Sequence, residues 1–177
     1  GVYVTEVFIA SLRNNGFSKN RSPVGGGVHF DRINEIELEN NWFLGNQSQS
    51  HGGGIYAATS ERVMLTADRF QANRAQLRGG GIWIRNASEI QTSDASFTGN
   101  IAGGEGGGWY STDVDVIDVN GGVFERNVAA ASGNPTTGQG RGGGLAFEET
   151  GPVSMLGAEF IGNGASGHGG GLWVARV

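Results

Sequence analysis

A triplet of glycines recurs along this chain at an almost constant interval. It begins at residues 25, 52, 79, 106, 142 and 169, so successive steps are 27, 27, 27, 36 and 27 residues. A second motif, Phe-x-x-Asn, alternates with it, and its phenylalanine follows the first glycine of the preceding triplet by 18 residues each time. A fixed period of this length indicates a repeat architecture in which every repeat packs on the next one.

The Phe-x-x-Asn motif occurs six times. Its phenylalanines are Phe17, Phe43, Phe70, Phe97, Phe124 and Phe160, and its asparagines are Asn20, Asn46, Asn73, Asn100, Asn127 and Asn163. Because equivalent positions of stacked repeats lie over one another, we expect the rings to stack in the core. We expect the amide side chains to hydrogen-bond along the axis and to satisfy backbone groups at a tight turn. Both columns are interpreted as a structural ladder.

Apolar residues alternate with polar ones after each triplet, as in strands with one buried face. The residue after the third glycine is apolar in all seven copies: Val2, Val28, Ile55, Ile82, Trp109, Leu145 and Leu172. A second alternating segment begins nine residues after that glycine, and the phenylalanine of the next motif begins a third, short strand. Helical periodicity is absent from the pattern.

Three short strands per period of about 27 residues predict an all-β fold, a single-stranded parallel β-helix or β-solenoid of about six coils. Parallel crossovers are almost always right-handed, so we expect a right-handed winding. A β-sandwich would instead show hairpin turns such as Asn-Gly at its strand ends. The sequence predicts one domain over residues 1–177. Its coils are 1–26, 27–53, 54–80, 81–107, 108–143 and 144–170, with a partial coil at 171–177.

The two motifs together resemble the repeat of the chlamydial polymorphic outer-membrane proteins. In that repeat Phe-x-x-Asn is paired with two glycines, a small residue and an apolar residue, commonly GGA before Ile, Leu or Val. GGGI at 52–55 and GGGL at 142–145 show the pattern here. The chain is also similar to related right-handed β-helix repeats of bacterial surface proteins. The resemblance implies an extracellular or outer-membrane passenger, which is often adhesive.

The composition excludes several classes of function. The chain has no cysteine, which rules out disulfides, thiolate metal sites and thiol catalysis. No apolar run approaches the ~18 residues of a transmembrane helix, so no such segment is expected in this chain. With 12 Lys and Arg against 17 Asp and Glu, the net charge is −5. This balance predicts no basic face and no nucleic-acid partner.

An outward column of mostly aromatic residues lies two positions after the third glycine. We call this column the aromatic stripe, and its members are Tyr3, His29, Tyr56, Trp83, Tyr110, Ala146 and Trp173. We expect these side chains to face away from the core and to be exposed. A row of rings at coil spacing could bind sugar rings or a partner protein. Like residues also stack over a flat sheet in any solenoid, so the purely structural interpretation stays open.

The spacing between Asn127 and the next triplet is longer than elsewhere. Fourteen residues, 128–141, replace the usual five, which is an insertion of nine residues. Insertions in solenoids map to loops on one face and often carry function. A neutral insertion is the alternative interpretation, because long surface loops cost little free energy.

Charged residues offer one weak metal candidate and one ion pair. Asp113, Asp115 and Asp118 lie close together in the sequence, and carboxylates of adjacent coils could bind Ca²⁺. A solvated turn is the alternative, and we predict no cofactor. In the column that precedes each triplet, Arg78 lies over Glu105, so we expect these two side chains to pair across coils.

These observations predict a non-enzymatic β-solenoid of the cell surface or extracellular space, associated with a bacterial outer membrane or secreted. It would act as an adhesin, a stalk or a fibre subunit. The expected partners are neighbouring coils of a longer chain or identical chains stacked end to end, since neither terminus shows a capping repeat. Surface glycans or a host cell-surface protein are further expected partners. The alternative is a β-helix that binds or degrades polysaccharide, as lyases and glycosidases do.

Overall fold

The computed structural model describes residues 1–130 and 140–176, which form a β-solenoid of stacked parallel strands. All pairings between named strands in these ranges join equivalent positions of adjacent repeats, as in Phe43 with Phe70 and Phe70 with Phe97. The predicted all-β solenoid of about six coils is therefore confirmed. Neither range contains a helix that is long and apolar enough to cross a membrane.

The strands of the described residues form three sheets. Sheet 1 has ten strands: β1 Val2–Thr5, β2 Ile9–Arg13, β5 Val28–Asp31, β6 Glu35–Glu39, β9 Ile55–Thr66, β12 Ile82–Ser93, β15 Trp109–Asn120, β18 Leu145–Thr150, β19 Val153–Leu156 and β22 Leu172–Ala175. Sheet 2 has six strands: β3 Gly16–Ser18, β7 Trp42–Leu44, β10 Arg69–Gln71, β13 Ser96–Thr98, β16 Val123–Glu125 and β20 Glu159–Ile161. Sheet 3 also has six: β4 Arg21–Ser22, β8 Gln47–Ser48, β11 Arg74–Ala75, β14 Ile101–Ala102, β17 Val128–Ala129 and β21 Gly164–Ala165.

The division of a coil into strands differs from the sequence prediction. The first two predicted strands belong to the same sheet, and in the third, fourth and fifth coils they join into the single twelve-residue strands β9, β12 and β15. A two-residue strand that follows the ladder asparagine supplies the third sheet, as at Arg74–Ala75. Two residues are too few to show an alternation of period two, so the sequence pattern could not reveal this strand.

Each coil changes direction at four positions where the backbone is left-handed. The first corner follows β1, β5 and β22 and lies within β9, β12, β15 and β18. Its residues have φ between 53° and 61°: Glu6, Arg32, Thr59, Asn86, Asp113, Glu149 and Arg176. A left-handed φ is uncommon outside glycine, asparagine and aspartate, and Thr59 is β-branched as well. The same unusual conformation at one position of all seven copies shows that the corner is imposed by the coil and not by residue type.

The interior of the solenoid is built from columns of identical or similar side chains. The six phenylalanines stack with ring centroids 4.7–5.1 Å apart and with nearly parallel planes. The four in the middle, Phe43, Phe70, Phe97 and Phe124, are at most 1% exposed. The predicted stack is therefore confirmed, and it faces the apolar columns of sheet 1 that include Ile55, Ile82 and Trp109.

One polar residue interrupts an otherwise apolar column for a local reason. Ser111 is fully buried in the inward column of sheet 1 that otherwise holds residues such as Phe30 and Phe147. Its hydroxyl lies 2.6 Å from the indole Nε1 of Trp109, which donates a hydrogen bond to it. A buried indole N–H without an acceptor is costly, so Trp109 and Ser111 form a matched pair.

The first glycine of each triplet lets the backbone approach the strand that follows it very closely. The first glycine of each triplet forms the fourth corner with φ between 60° and 64°. A Cβ on Gly25 would lie 2.5 Å from the carbonyl oxygen of Val28 and 2.9 Å from the Cβ of His29. The chain therefore folds tightly back onto the strand that it is about to enter, and only glycine leaves room for this turn.

The asparagine ladder runs through the whole stack as predicted. The Oδ1 of Asn100 accepts hydrogen bonds from the backbone N–H and from the Nδ2 of Asn73, both at 3.0 Å. The Nδ2 of Asn100 in turn donates to the carbonyl oxygen of Phe70 at 2.8 Å and to the Oδ1 of Asn127 at 2.9 Å. Every polar atom of these fully buried amides has a partner, so the ladder stabilises the corner that follows sheet 2.

The predicted insertion at 128–141 falls largely outside the described residues. Val128 and Ala129 form β17 in register with Ile101 and Ala102. At the other end, the N–H of Gly140 donates to the Oγ of Ser166 at 2.9 Å. Residues 131–139, which hold most of the insertion, lie beyond the described ranges.

Candidate functional site

The aromatic stripe lies on the outward face of sheet 1, as its position in each repeat predicts. The strand register pairs Tyr3 with His29, His29 with Tyr56, Tyr56 with Trp83 and Trp83 with Tyr110. The rings of Tyr56 and Trp83 stack in parallel with centroids 4.6 Å apart. Tyr3, His29 and Tyr56 meet edge to face, with centroids 4.8 and 4.6 Å apart.

The expectation that the whole stripe is exposed is wrong. Tyr3 is 60% exposed, but Trp83 is only 5% exposed and Tyr110 only 1%. Together with Ala58 and Ala146 these two rings form a second apolar cluster, separate from the main core, against which Tyr56 and Trp173 pack. The stripe is thus on the side of the sheet that faces away from the core, yet its middle is covered by other side chains.

Side chains from the position before each triplet cover the stripe from one side. His51 lies beside Trp83 with ring centroids 5.1 Å apart, and the guanidinium of Arg78 lies 5.1 Å above the ring centre of Tyr110. Arg141 covers Trp173 in the same way at 4.9 Å. In all three cases the tight glycine turn directs the side chain over the ring of the next coil. These contacts combine apolar covering with the attraction between a cation and a π-face.

A second column covers the stripe from the other side. Its residues lie two positions after the stripe residue of each coil. One of them is Arg85, whose guanidinium lies 5.5 Å from the ring centre of Trp83. The phenol of Tyr110 donates a hydrogen bond to the Oε2 of Glu148 at 2.9 Å. Glu148 also pairs with Arg176 at 3.4 Å, and Arg176 contacts Glu149. The stripe therefore lies in a trough between two polar columns, which explains its burial.

The ion pair predicted between Arg78 and Glu105 is confirmed. The Nε of Arg78 lies 2.6 Å from the Oε2 of Glu105, whose side chain is 11% exposed. Arg78 thereby neutralises a nearly buried carboxylate while its guanidinium lies over Tyr110. The pair joins two consecutive coils at the edge of the trough.

The trough widens into an open depression of about 430 Å³. Its floor is aromatic, with Tyr56, Trp83 and Tyr110, and its rim is charged; the rim residues include Arg85, Asp113, Glu148, Glu149 and Arg176. The Nε1 of Trp83 is buried and has no hydrogen-bond partner among the described residues. An aromatic floor with polar groups around it is chemically suited to a ligand with one apolar face and several hydroxyl or charged groups.

Burial changes the proton affinities of the groups in the trough. It raises the pKa of the Tyr110 phenol far above its ordinary value, and the bond to Glu148 acts in the same direction. Burial also lowers the pKa of His51, to which the nearby Arg78 contributes. Both groups are therefore neutral at pH 7. The charge in the trough comes from the arginines and carboxylates alone.

The weak calcium candidate is not assembled. Asp113 occupies the first corner and Asp115 is exposed, whereas Asp118 is a half-buried residue in register with Gln91 and Ser154. In the parts of the chain that the structure describes, no three Asp, Glu, His or Cys side chains converge to hold a metal ion. The three aspartates lie along the same strand, β15, and five residues separate Asp113 from Asp118, so their carboxylates do not converge.

Comparison with known proteins gives one match. Residues 43–58 match the family model of the Chlamydia polymorphic membrane protein repeat. The matched segment begins at Phe43, contains Asn46 and the triplet at 52–54, and ends in β9. It therefore holds both motifs that suggested this resemblance. No curated protein and no solved structure matches the chain significantly.

A second hydrogen-bonded ladder was not predicted. Its members are Asn15, Asn41 and Asp68, two residues before the phenylalanine of each motif, and the next coil has Ala95 at this position. Asn41 donates from its backbone N–H at 2.7 Å and from its Nδ2 at 2.9 Å to the Oδ1 of Asp68. The N–H of Thr66 donates to the other oxygen at 3.2 Å. The only sequence signal was that asparagine occupies this position in two successive repeats, at Asn15 and Asn41, 26 residues apart.

Proposed function

We propose that this chain is a non-enzymatic β-solenoid of the cell surface or extracellular space, acting as an adhesin, a stalk or a fibre subunit. The observation that carries the proposal is the match of residues 43–58 to a repeat of polymorphic membrane proteins, because those residues hold both motifs of the unit that repeats along the stack. The asparagine ladder and the phenylalanine column continue through all six repeats. A stack of this kind presents long, rigid side faces, which suits a protein that holds a binding surface away from its anchor.

Surface exposure can be tested directly on cells of the source organism. Antibodies raised against the purified chain should label intact cells, and external protease should remove the signal without permeabilisation. A cytosolic protein of the same organism is the control for cell integrity. Labelling that requires permeabilised cells would contradict a surface location.

Contacts along the stack axis are part of the same proposal. Apolar side chains of one core column are exposed at the two ends of the stack, where Val2 is 41% exposed and Leu172 is 38% exposed, whereas Ile82 in the same column is 1% exposed. Further coils of a longer chain, or a second copy of this chain, would cover them. If copies associate, light scattering should show a mass that rises with concentration, and Val2→Ser should reduce it. A mass that stays that of one chain at every concentration argues against association of copies.

The second candidate function is binding or cleavage of a polysaccharide in the trough. It is favoured by the depression in which Asp113, Glu148 and Glu149 stand around the rings of Trp83 and Tyr110. Incubation with polysaccharides, followed by an assay for new reducing ends and unsaturated products, tests cleavage. Activity that Glu148→Gln abolishes would support this candidate over the non-enzymatic role. Glu125→Gln, in a different sheet, is the matched control.

A further inference from the structure

The outward sides of sheets 2 and 3 in the first four coils carry an unusual distribution of charge. Segments 16–24, 42–51, 69–78 and 96–105 form these sides, and their one acidic residue is Glu105, which pairs with Arg78, although the chain has 17 acidic residues. Four exposed cations, Lys19, Arg21, Arg69 and Arg74, lie in them. We call these outward positions, together with Trp42, the basic face. The expectation from net charge that the chain has no basic face is wrong, since the average hides this segregation.

The four cations of the basic face have no acidic partners among the described residues. Ten ion pairs occur in the described residues, and they involve Arg13, Arg32, Arg62, Arg78, Arg126 and Arg176. None of these residues is one of the four. On sheet 1, by contrast, cations are matched by carboxylates of neighbouring coils, as Arg62 is by Glu35 and Glu89. The positive charge of the basic face is therefore not neutralised within the described chain.

Strand register places these cations close together. Arg21 and Arg74 stand in the same column of sheet 3, separated by one coil that has Gln47 at this position. At about 4.8 Å per coil the two Cα atoms are about 10 Å apart. Lys19 lies at the corner between sheets 2 and 3, and its Cγ would be 3.8 Å from a Cβ on Gly45. The lysine stem thus lies over the glycine of the next coil, where no side chain blocks it.

An exposed indole lies beside the charges. Trp42 is 45% exposed, in contrast to Trp83 and Trp109, and its neighbours in the column are Gly16 and Arg69. The Cε3 of Trp42 would be 3.9 Å from a Cβ on Gly16. The ring therefore spreads over a position without a side chain. An exposed indole next to an unpaired cation suits a ligand with an apolar ring face and a negative charge.

Two depressions on the basic face each combine an arginine with neutral hydrogen-bonding groups. One of about 540 Å³ is lined by Trp42, Arg69, Gln71, Ser96 and Thr98 among others. Another of about 330 Å³ includes Arg21, Gln47, Gln49 and Gln76. Amide and hydroxyl side chains both donate and accept hydrogen bonds, as sugar hydroxyls do. The face thus combines cations, one aromatic ring and groups that match hydroxyls.

We propose that the basic face binds a linear anionic polysaccharide that carries carboxylate or sulfate groups. The unpaired cations attract the anionic groups, the indole of Trp42 packs on the face of one sugar ring, and the amides bind hydroxyls. The choice of polysaccharide over other polyanions rests on the proposed surface function, because a surface protein meets such polymers first. This site is distinct from the trough on sheet 1.

The test measures binding of the purified chain to immobilised heparin, polygalacturonate, neutral dextran and a thymidine oligonucleotide. The wild type should bind heparin or polygalacturonate, with an affinity that falls steeply as salt rises, and should not bind dextran. Removal of the four charges through Lys19→Gln, Arg21→Gln, Arg69→Gln and Arg74→Gln should lower the affinity at least about tenfold and flatten the salt dependence. Trp42→Ala should lower the affinity and leave the salt dependence unchanged.

A matched control separates the basic face from net charge. Arg13→Gln, Arg32→Gln, Arg62→Gln and Arg126→Gln together remove the same charge from residues that are already in ion pairs. This variant should bind like the wild type. Equal loss in both variants, binding to dextran, no binding of the wild type to either anionic polymer, or tighter binding to the oligonucleotide would each overturn the proposal.

Failure of this site and failure of the proposed function give different results. The salt dependence of the wild type tests the charge mechanism even if a multiple variant fails to fold. Absence of polyanion binding would remove this site and leave the surface location to the antibody experiment. Intracellular location together with heparin binding would remove the surface function and leave the site.

Discussion

The phenylalanine column of sheet 2 and the aromatic stripe of sheet 1 occupy fixed positions in every coil, but their surroundings differ. The phenylalanine column repeats one residue, and its rings stack with nearly parallel planes inside the core. The stripe changes from tyrosine to histidine, tryptophan and alanine, and its exposure ranges from 60% at Tyr3 to 1% at Tyr110 and 0% at Ala146. The packing of a uniform column follows from the one residue that it repeats. The burial of a mixed column depends on side chains of other columns that lie over it.

The two hydrogen-bonded ladders show the same contrast. The asparagine ladder repeats one residue and satisfies its own donors and acceptors from coil to coil. The shorter ladder changes from Asn15 and Asn41 to Asp68 and stops at Ala95. Its last member is a fully buried carboxylate. A mixed column can thus contain a group whose burial lowers stability, such as this carboxylate, whereas the uniform asparagine ladder contains none.

The largest expected effect is in the uniform phenylalanine column. Phe97→Ala should lower the free energy of unfolding by about 3–5 kcal/mol, because it removes a fully buried ring from between two others. Denaturant titration measures the change. Phe17→Ala, at the partly buried end of the same column, should cost less. Equal unfolding midpoints for wild type and Phe97→Ala would contradict the core assignment.

The buried carboxylate of the short ladder should make stability depend on pH. Burial raises the pKa of Asp68 to about 6, against the opposing hydrogen bonds from Asn41 and Thr66. The folded state then holds this proton more tightly than the unfolded chain. Its contribution to stability is full below about pH 4 and is lost as the pH rises through about 6. The shift corresponds to about 3 kcal/mol.

Asp68→Asn isolates this contribution from that of other carboxylates. The amide Oδ1 can accept the two hydrogen bonds from Asn41 and carries no charge, so the variant should lose this part of the pH dependence. Unfolding free energies of both proteins at pH 4, 5, 6 and 7 are the measurement. Parallel pH profiles for wild type and variant would show that Asp68 has no raised pKa.

The mixed stripe should respond less to truncation than the phenylalanine column. Trp83→Ala should cost about 2–3 kcal/mol, because the covering side chains of His51 and Arg85 can collapse into part of the space. The comparison with Phe97→Ala in the same denaturant series tests this ranking. Wild-type stability of Trp83→Ala would restore the interpretation of the stripe as an exposed surface.

The uniform asparagine ladder should show the smallest of these effects for a single substitution. Asn100→Ala should cost about 1–3 kcal/mol, because the N–H groups of Asn73 and the carbonyl of Phe70 lose their partner. Thermal or denaturant unfolding measures it. Asn20→Ala, at the partly buried first coil, is the matched control and should cost less. An equal cost at both positions would argue against a cooperative ladder.

Most of the fold could be predicted because its columns are uniform. The period placed Phe70 over Phe43 and Asn73 over Asn46, and it also paired Arg78 with Glu105. The corners could not be predicted, because left-handed residues as different as Arg32, Thr59 and Glu149 share one position. The directions of the sides of a coil depend on these corners.

The site was harder to predict for the same reason. The coverage of Trp83 depends on how the glycine turn directs His51, which no alternation of residues encodes. The basic face was hidden because its cations, such as Arg21 and Arg74, are far apart in the sequence and come together only through register. The net charge sums over all faces of the molecule, whereas the fold places acidic and basic residues on different faces.

The register of stacked coils is the central claim, and disulfide formation tests it most directly. The chain has no cysteine, and Leu44 and Gln71 are outward neighbours in register on adjacent coils of sheet 2, with Thr98 next in the same column. Neighbouring strands lie about 4.8 Å apart, which is within the Cα range that a disulfide bridges, whereas two coils separate residues by about 10 Å. Leu44→Cys with Gln71→Cys should therefore form an intramolecular disulfide on mild oxidation, and Leu44→Cys with Thr98→Cys should not. Efficient crosslinking of the second pair without the first would contradict the stacked-coil account.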